Sequence, residues 1–236
     1  MLFRSLEGAT VTLGGATSRT AVSASDGSYE FLNVKNGAYS ITPSMSQYSF
    51  TPQQRSVNVN GHDMTGLDFR GDPLLPPVAD FGATPSSGRI PLEVTFADLS
   101  AGNVTSWLWD FGDGGTSTAR NPVHSYRKAG NYTVSLTAAG AGGSNTAVKT
   151  AYIAAHAAPR SIFRAAPVRG RSPLEVRFSD RSAGTITGWS WEFGDSYGSS
   201  ERNPTHTYTS RGTYVVRLTV TGPAGTSTSM GRIRVR

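Results

Sequence analysis

The residues best suited to catalysis or metal binding are an aspartate and a histidine that each occur twice, 82 positions apart. Asp113 and Asp195 close the segments WDFGD and WEFGD, and His124 and His206 follow Asn-Pro turns. Carboxylates grouped in loops can bind calcium, and histidines can bind metal or transfer protons. Carboxylates in turns, however, commonly accept backbone N–H bonds, and a histidine that recurs with its scaffold favours a role inside the fold. We therefore predict structural roles for all four residues.

A calcium site would need more carboxylates than the sequence supplies. The loops that precede the two tryptophan-rich segments read DLSAGNVTSW and DRSAGTITGW, and each contains a single aspartate. Calcium takes about six to eight oxygen ligands, with several carboxylates among them. The four histidines share no metal-ligand spacing, and the chain has no cysteine. We expect neither a metal site nor a cofactor.

The motifs of common catalytic centres are missing from the sequence. It contains no G-x-S-x-G elbow, no H-E-x-x-H segment and no P-loop. The glycine-rich GDGGTS follows one predicted strand and leads into another, so no helix N-terminus is available there to hold phosphate. We predict that this chain is not an enzyme.

Positive charge is concentrated in the last third of the chain. Residues 156–236 contain twelve arginines, no lysine and five acidic residues, whereas residues 73–155 are neutral overall and residues 1–72 carry a net charge of −1. Alternation along the predicted strands puts four of these arginines on outward positions, namely Arg217, Arg232, Arg234 and Arg236. Guanidinium groups pair well with carboxylate and sulfate. The pattern predicts an anionic partner, with solubility as the alternative.

Five further residues are candidates for contacts or modification. The same alternation places Leu108 and Tyr152 on the outer face of the earlier, neutral segment, and Tyr197 lies in a predicted turn. Apolar residues on such a face would permit head-to-tail contacts between chains. Asn103 and Asn131 begin the glycosylation sequons NVT and NYT.

The elements that must position these residues are strands belonging to a duplicated domain. Residues 80–154 align with residues 162–236 without a gap, and RIPLEVTFADLSAG, for example, matches RSPLEVRFSDRSAG. Apolar and polar residues alternate in both copies, which is typical of strands with one buried face. We expect almost no helix and three tandem β-sandwich domains, at residues 1–72, 73–155 and 156–236. GDPLLPP and AAHAAPR are the predicted linkers.

The duplicated domain resembles a known family. W-x-W-D/E-F-G-D, then N-P-x-H-x-Y and G-x-Y-x-V-x-L-T, are similar to the PKD domain, an immunoglobulin-like β-sandwich found on cell surfaces and beside secreted enzymes. The resemblance implies that Trp109 and Trp191 are the strand C tryptophans of the immunoglobulin scheme. It also implies that Val134 and Val216 occupy the strand F position where antibody domains have a cysteine.

The first 70 residues are similar to a different sandwich module. SDGSYEF and NGAYSI resemble consecutive strands of carboxypeptidase-regulatory-like or Cna-B-like modules. Such modules usually begin with an additional strand, for which only Leu2 to Leu6 is available. Either this strand is short or another chain supplies it, and an incomplete edge invites strand addition.

Together these patterns predict a non-catalytic module on the outside of a prokaryotic cell. The start of the chain has no apolar stretch of signal-peptide length and no segment could span a membrane, so we expect a piece of a longer protein without membrane insertion. It would act as a rigid spacer with protein- or glycan-binding faces, or as a subunit of a surface filament. Its partners would be other surface proteins, copies of itself, anionic glycans or the cell envelope. Nucleic acid is not expected, because the aromatic residues are needed in the core. The alternative is an accessory substrate-binding segment of a secreted hydrolase.

Overall fold

The computed structural model describes residues 6–236, and every regular element in that range is a β-strand. The strands form three successive β-sandwich modules, which we call the N-terminal module (residues 6–73), the first repeat (74–156) and the second repeat (157–236). The described range thus confirms the expected all-β architecture. Within it, no helix is long and apolar enough to cross a membrane.

The N-terminal module packs a four-stranded sheet of order β2-β1-β3-β5 with the two-stranded sheet β4-β6. Its strands are β1 (Thr10–Gly15), β2 (Arg19–Val22), β3 (Gly37–Ser44), β4 (Tyr48–Thr51), β5 (Arg55–Val59) and β6 (Arg70–Pro73). Alternate residues of β1 and β3 are buried, because one face of the sheet covers the core. The additional strand expected within residues 2–6 lies outside the described residues except for Leu6, which packs against this core.

The first repeat has a three-stranded sheet of order β12-β9-β7 and a five-stranded sheet of order β11-β10-β13-β14-β8. Its strands are β7 (Phe81–Thr84), β8 (Ser87–Arg89), β9 (Leu92–Asp98), β10 (Ser106–Asp110), β11 (Thr116–Ser117), β12 (Val123–Tyr126), β13 (Gly130–Gly140) and β14 (Gly143–His156). The alternation predicted from the sequence is confirmed in β9, where Leu92, Val94 and Phe96 are buried between exposed neighbours.

The second repeat has the same topology, with sheets of order β15-β17-β20 and β16-β22-β21-β18-β19. Its strands are β15 (Phe163–Ala166), β16 (Arg169–Gly170), β17 (Leu174–Asp180), β18 (Gly188–Glu192), β19 (Gly198–Ser199), β20 (Thr205–Tyr208), β21 (Gly212–Gly222) and β22 (Gly225–Val235). The equal strand order and matching pairings confirm that one sandwich has been duplicated.

Each repeat is built around one buried tryptophan. Trp109 and Trp191 are inaccessible to solvent, and their rings meet Phe81 and Phe163 edge-on at centroid distances of 5.3 and 5.1 Å. Each indole N–H donates a hydrogen bond of 2.9 Å to a backbone carbonyl. Because a buried indole is paired in this way, its large apolar surface stabilises the core without a desolvation penalty.

Both linkers predicted from the sequence are shorter in the structure. Residues 71–73 belong to β6, which pairs with β4, and residues 154–156 form the end of β14. The amide of Leu74 then donates to the carbonyl of Gln47 at 2.8 Å. The linkers are therefore shorter than the proline-rich and alanine-rich segments, because strand pairing continues into both segments.

The two repeats differ in the last strand of the large sheet. In the second repeat β21 and β22 pair without interruption, so that Val216 opposes Gly231 and Tyr214 opposes Ile233. In the first repeat Val134 opposes Lys149, but the next pair is Tyr132 with Ile153. Two additional residues are accommodated in a bulge, where Ala151 has a φ of 49°. The ungapped sequence alignment is therefore wrong beyond Lys149, since Ile153 corresponds in space to Ile233.

Candidate functional site

The Asp-His turn of the first repeat is part of the scaffold. Oδ2 of Asp113 lies 2.8 Å from Nε2 of His124, and Oδ1 accepts a hydrogen bond from the Gly115 amide at 3.0 Å. The imidazole stacks on Phe111 with a centroid distance of 4.1 Å. Burial by itself would raise the pKa of Asp113, but the contacts with His124 and Gly115 outweigh it and lower the pKa. This network confirms the structural role predicted from the sequence.

The second repeat reproduces this turn with Ser196 and Tyr197 in place of two glycines. Asp195 lies 2.6 Å from Nε2 of His206, which stacks on Phe193 at 4.3 Å. Tyr197 stands where the first repeat has a glycine, is 70% exposed, and has its ring 5.9 Å from that of His206. Its exposure agrees with the predicted turn, and its use as a contact residue stays a prediction.

The single aspartate of each loop considered for calcium already has protein partners, namely a serine amide and an arginine side chain. The Asp98 side chain is almost fully buried, accepts a hydrogen bond from the Ser100 amide at 3.0 Å and pairs with Arg120 at 3.2 Å. Burial would raise the pKa of Asp98, but hydrogen bonds from Ser100, Trp107 and Arg120 outweigh this effect and lower it. Across residues 6–236, no group of three or more acidic or histidine side chains could hold a metal ion.

Four arginines that strand alternation predicts to face outward lie on the large sheet of the second repeat, and their use by an anionic partner stays a prediction. Arg217, Arg232, Arg234 and Arg236 are all exposed on this sheet. Arg217 is partly neutralised, because its Nε lies 3.3 Å from a carboxylate oxygen of Glu192 on β18. Among the ion pairs of the described range, none includes the other three arginines. Their charges are therefore available to an external anion.

Sequence reasoning missed one member of this face. Arg169 lies on β16, which pairs in parallel with the end of β22 so that Arg169 stands beside Arg234. A two-residue strand is too short to show alternation, and only the pairing locates it. We define the arginine face as Arg169, Arg217, Arg232, Arg234 and Arg236.

The corresponding face of the first repeat contains one arginine, Arg89, which lies at the end of β8 beside His156. Leu108 is 53% exposed there, as predicted, and Val148 is 61% exposed on the neighbouring part of β14. Their paired positions on β13 are threonine and serine. This surface is weakly apolar and carries a single arginine, so the cluster of five arginines is a property of the second repeat.

The predicted outward orientation of Tyr152 is wrong. Its ring is half-buried and meets Phe81 edge-on at 5.6 Å, and its hydroxyl accepts a hydrogen bond from the Ala83 amide at 3.2 Å. The bulge at Ala151 changes the alternation and turns the side chain across the open end of the sandwich. Strand parity predicts orientation only where pairing is continuous.

Lys149 completes this closure of the first repeat. Its Nζ lies 2.9 Å from Asp80, donates to the carbonyl of Phe81 and stands 4.7 Å from the centre of the Phe81 ring. The second repeat has Gly231 at this position, where an added Cβ would come within 2.8 Å of the Phe163 ring. The second repeat therefore lacks the side chain that closes this place in the first repeat.

Both sequons lie on the surface. Asn103 is exposed in the loop before β10, and Asn131 is exposed near the start of β13. Their glycosylation stays a prediction that depends on where the protein is made.

The two repeats, each with a strand C tryptophan and a buried valine in place of the strand F cysteine, define immunoglobulin-like sandwiches without a disulfide. The family model for the PKD domain matches residues 75–155 and 162–236, about two thirds of the chain. The chain therefore belongs to the PKD domain family. Residues 6–67 match the model described as BOS complex subunit NOMO1-like, second beta sandwich domain, and this segment is therefore similar to that β-sandwich domain.

Curated relatives of this chain include a metalloprotease and collagenases. The pre-pro-metalloprotease PrtV of Vibrio cholerae is 46% identical over 63 residues, which is 27% of this chain and 7% of that protein. A microbial collagenase of Vibrio alginolyticus is 40% identical over 75 residues, or 30% of this chain and 9% of the collagenase. The matches thus span less than a tenth of either relative.

Solved structures include single and tandem domains of this type. The PKD1 domain of the Vibrio cholerae metalloprotease PrtV is 33% identical, with a TM-score of 0.30, over 33% of this chain and 96% of that one. The I-band fragment I67-I69 of titin is 13% identical, with a TM-score of 0.51, over 97% of this chain and 88% of that one. At this low identity the titin match shows the fold alone.

Proposed function

We propose that this chain is a non-catalytic, extracellular spacer and adhesive module that binds an anionic partner through the arginine face of the second repeat. The observation that carries the proposal is the contrast between the repeats: Arg169, Arg232 and Arg234 stand together without acidic partners, where the first repeat is neutral. PKD domains are generally accessory modules, which supports a role without catalysis.

The face suits a ligand with several regularly spaced negative charges. Arg232 and Arg234 are two residues apart on one strand, and therefore about 7 Å apart along it. Arg169 widens the charged area across the sheet. Guanidinium groups bind carboxylate and sulfate with paired hydrogen bonds, so an acidic glycan or cell-envelope polymer fits this spacing.

Heparin affinity chromatography of the whole chain, over a sodium chloride gradient, tests this proposal. We expect the column to retain the wild-type chain. The double variant Arg232→Thr, Arg234→Ala should elute at a lower salt concentration, because it forms fewer charge pairs with heparin and salt screens those that remain. The matched control combines Arg164→Ser with Arg177→Thr, which removes two exposed arginines from the opposite sheet. The two double variants therefore have the same net charge. Equal elution of the two double variants would show that only net charge matters and would overturn the proposal.

A filament made of this chain is a narrower form of the same function. Leu108 and Val148 on one repeat and the arginine face on the other are different surfaces, and repeated contact between unlike surfaces makes open fibres. Light scattering and negative-stain microscopy at low and high salt separate the forms. Fibres that dissolve in salt indicate a filament, whereas a single chain at both salt concentrations excludes it and leaves the spacer.

A second candidate is an accessory substrate-binding segment of a secreted hydrolase. The observation that favours it is the identity of 40 to 46% with segments of a collagenase and a metalloprotease. Cosedimentation of the whole chain with insoluble collagen, with and without the arginine substitutions, tests this. Saturable binding supports the accessory role, and a chain that remains in the supernatant argues against collagen as its substrate.

A further inference from the structure

The last strand of the second repeat has an open edge. On the side away from β21, β22 is paired only at Arg234 and Val235, by the short strand β16. The amide of Arg234 donates to the Val168 carbonyl on that side. Since hydrogen-bonding direction alternates along an antiparallel strand, Met230 and Arg232 also direct their N–H and C=O groups to this edge, where no described strand meets them.

A groove runs along this open edge. It has a volume of about 360 Å³ and lies between β22 and β15, the edge strand of the small sheet. Its apolar lining includes Phe163, Ala165 and Val168, and Gly231 contributes no side chain that would fill it. An unpaired strand edge beside an apolar groove is the arrangement that binds an extended peptide by strand addition.

The first repeat shows what the groove lacks. At the equivalent place the Tyr152 ring covers the gap, and its hydroxyl accepts the hydrogen bond of the Ala83 amide. Lys149 reaches across to the carbonyl of Phe81. Ala165 and Phe163 hold the same register positions in the second repeat, so their N–H and C=O groups face the groove. The duplication has therefore left one closed and one open copy of a single site.

The charge around the groove restricts what can occupy it. Side chains of an added strand would alternate between the groove and the outer face of the sheet. On the outer face they would lie beside Arg232 and Arg234, which have no acidic partner in the described structure. On the groove side they would contact Phe163 and Val168. A segment that alternates apolar and acidic residues satisfies both sides.

We propose that the β22 edge of the second repeat binds an extended acidic peptide segment of a partner protein by strand addition. The free stretch from Ser229 to Arg232 is long enough for about four residues. This inference shares two arginines with the anion-binding function proposed above and rests on it for the sign of the partner's charge. It differs in requiring the strand edge and the groove.

Fluorescence anisotropy of the whole chain with a labelled peptide, TVEVEVT, tests the proposal. Two comparison peptides separate the contributions of charge and of backbone hydrogen bonding to the affinity. TVKVKVT reverses the charge, and TVEPEVT replaces the central residue with proline, which has no N–H to donate. We expect saturable binding of TVEVEVT, and at least tenfold weaker binding of both others. Equal binding of all three peptides, or none for TVEVEVT up to millimolar concentration, would overturn the proposal.

Two variants test the location. The first replaces Gly231–Ile233 with the first repeat's sequence KTAYI, which the same fold accommodates at Lys149–Ile153 and which exchanges an arginine for a lysine at constant net charge. The second is Met230→Pro, which removes an edge N–H that β21 does not use. Both are expected to lose peptide binding at least tenfold while retaining a cooperative unfolding transition. Met230→Pro keeps every residue of the arginine face and should also retain heparin binding, whereas the graft lacks Arg232 and is compared for peptide binding alone.

The results separate this inference from the anion-binding function. If the KTAYI variant binds TVEVEVT as wild type does, the groove is not the site, whatever the heparin result. The wild-type chain could fail to bind heparin and still bind TVEVEVT, with the KTAYI graft abolishing the peptide binding. In that case the anion-binding function is wrong and the peptide site stands. Should the graft unfold, Met230→Pro decides the question, because it leaves the core residues unchanged.

Discussion

The two repeats share a core but differ at the last strand of the large sheet and on the outer face of that sheet. In the first repeat a bulge at Ala151 carries Lys149 and Tyr152 over the open end of the sandwich. In the second, β22 continues straight past Gly231, leaving a groove and an outward row of arginines. The two copies thus differ in that the first closes this edge, whereas the second leaves it exposed and positively charged.

This comparison indicates where the fold tolerates change. The core residues are equivalent in the two repeats, because each must fill the space between two sheets. The outer face and the strand edge carry no such constraint, and they are the surfaces that diverge. We therefore expect the two repeats to respond equally to changes in the core and unequally to changes at the edge.

The largest effect is expected from removing the central tryptophans. Trp109→Ala and Trp191→Ala should each destabilise their own repeat by about 3–5 kcal/mol, because each leaves a large cavity and an unpaired carbonyl. Scanning calorimetry of the whole chain would show one transition shifted down in each variant. A large loss in one repeat and a small loss in the other would contradict the equivalence of the two cores.

A smaller and pH-dependent effect is expected at the buried loop aspartates. Asp98→Asn and Asp180→Asn should each cost about 1–3 kcal/mol at neutral pH, since each weakens hydrogen bonds to a serine amide and an arginine. Burial opposes but does not cancel the lowering of the pKa of both carboxyls. A lowered pKa contributes stability that is present above the unfolded value near 3.9 and is lost as pH falls through the folded pKa.

Chemical denaturation between pH 6 and pH 2 measures this linkage. Wild-type stability should fall below about pH 4, and the decline should be shallower in both variants because the linked proton is absent. Parallel pH profiles for wild type and variants would show that these aspartates do not supply the acid sensitivity.

The smallest loss of stability is expected from replacing Lys149, which closes the sheet edge in the first repeat and has no counterpart in the second. Lys149→Met should destabilise only the first repeat, by about 1 kcal/mol, through loss of the hydrogen bond to the Phe81 carbonyl. Lys128→Met, which changes an exposed lysine of the same repeat, is the matched control and should leave the transition unchanged. If both variants behave alike, Lys149 is not what closes the edge.

Much of this protein follows from its sequence alone. Period-two alternation located the strands, the 82-residue repeat defined the duplicated sandwich, and the tryptophan motif identified its core. Asp113 and His124 were assigned structural roles that their hydrogen bond confirms. These features were predictable because they depend on side-chain polarity at short range, which local spacing records directly.

The orientation of Tyr152, the membership of Arg169 in the arginine face and the open groove were decided only by the tertiary structure. Each depends on a partner far away in the chain: Tyr152 binds Ala83, and Arg169 is placed by its pairing with Arg234. A bulge reverses the direction of a side chain without altering the local pattern of residue types. Strand parity is therefore informative inside a continuous ladder, and it fails at the edge, where long-range contacts determine the pairing.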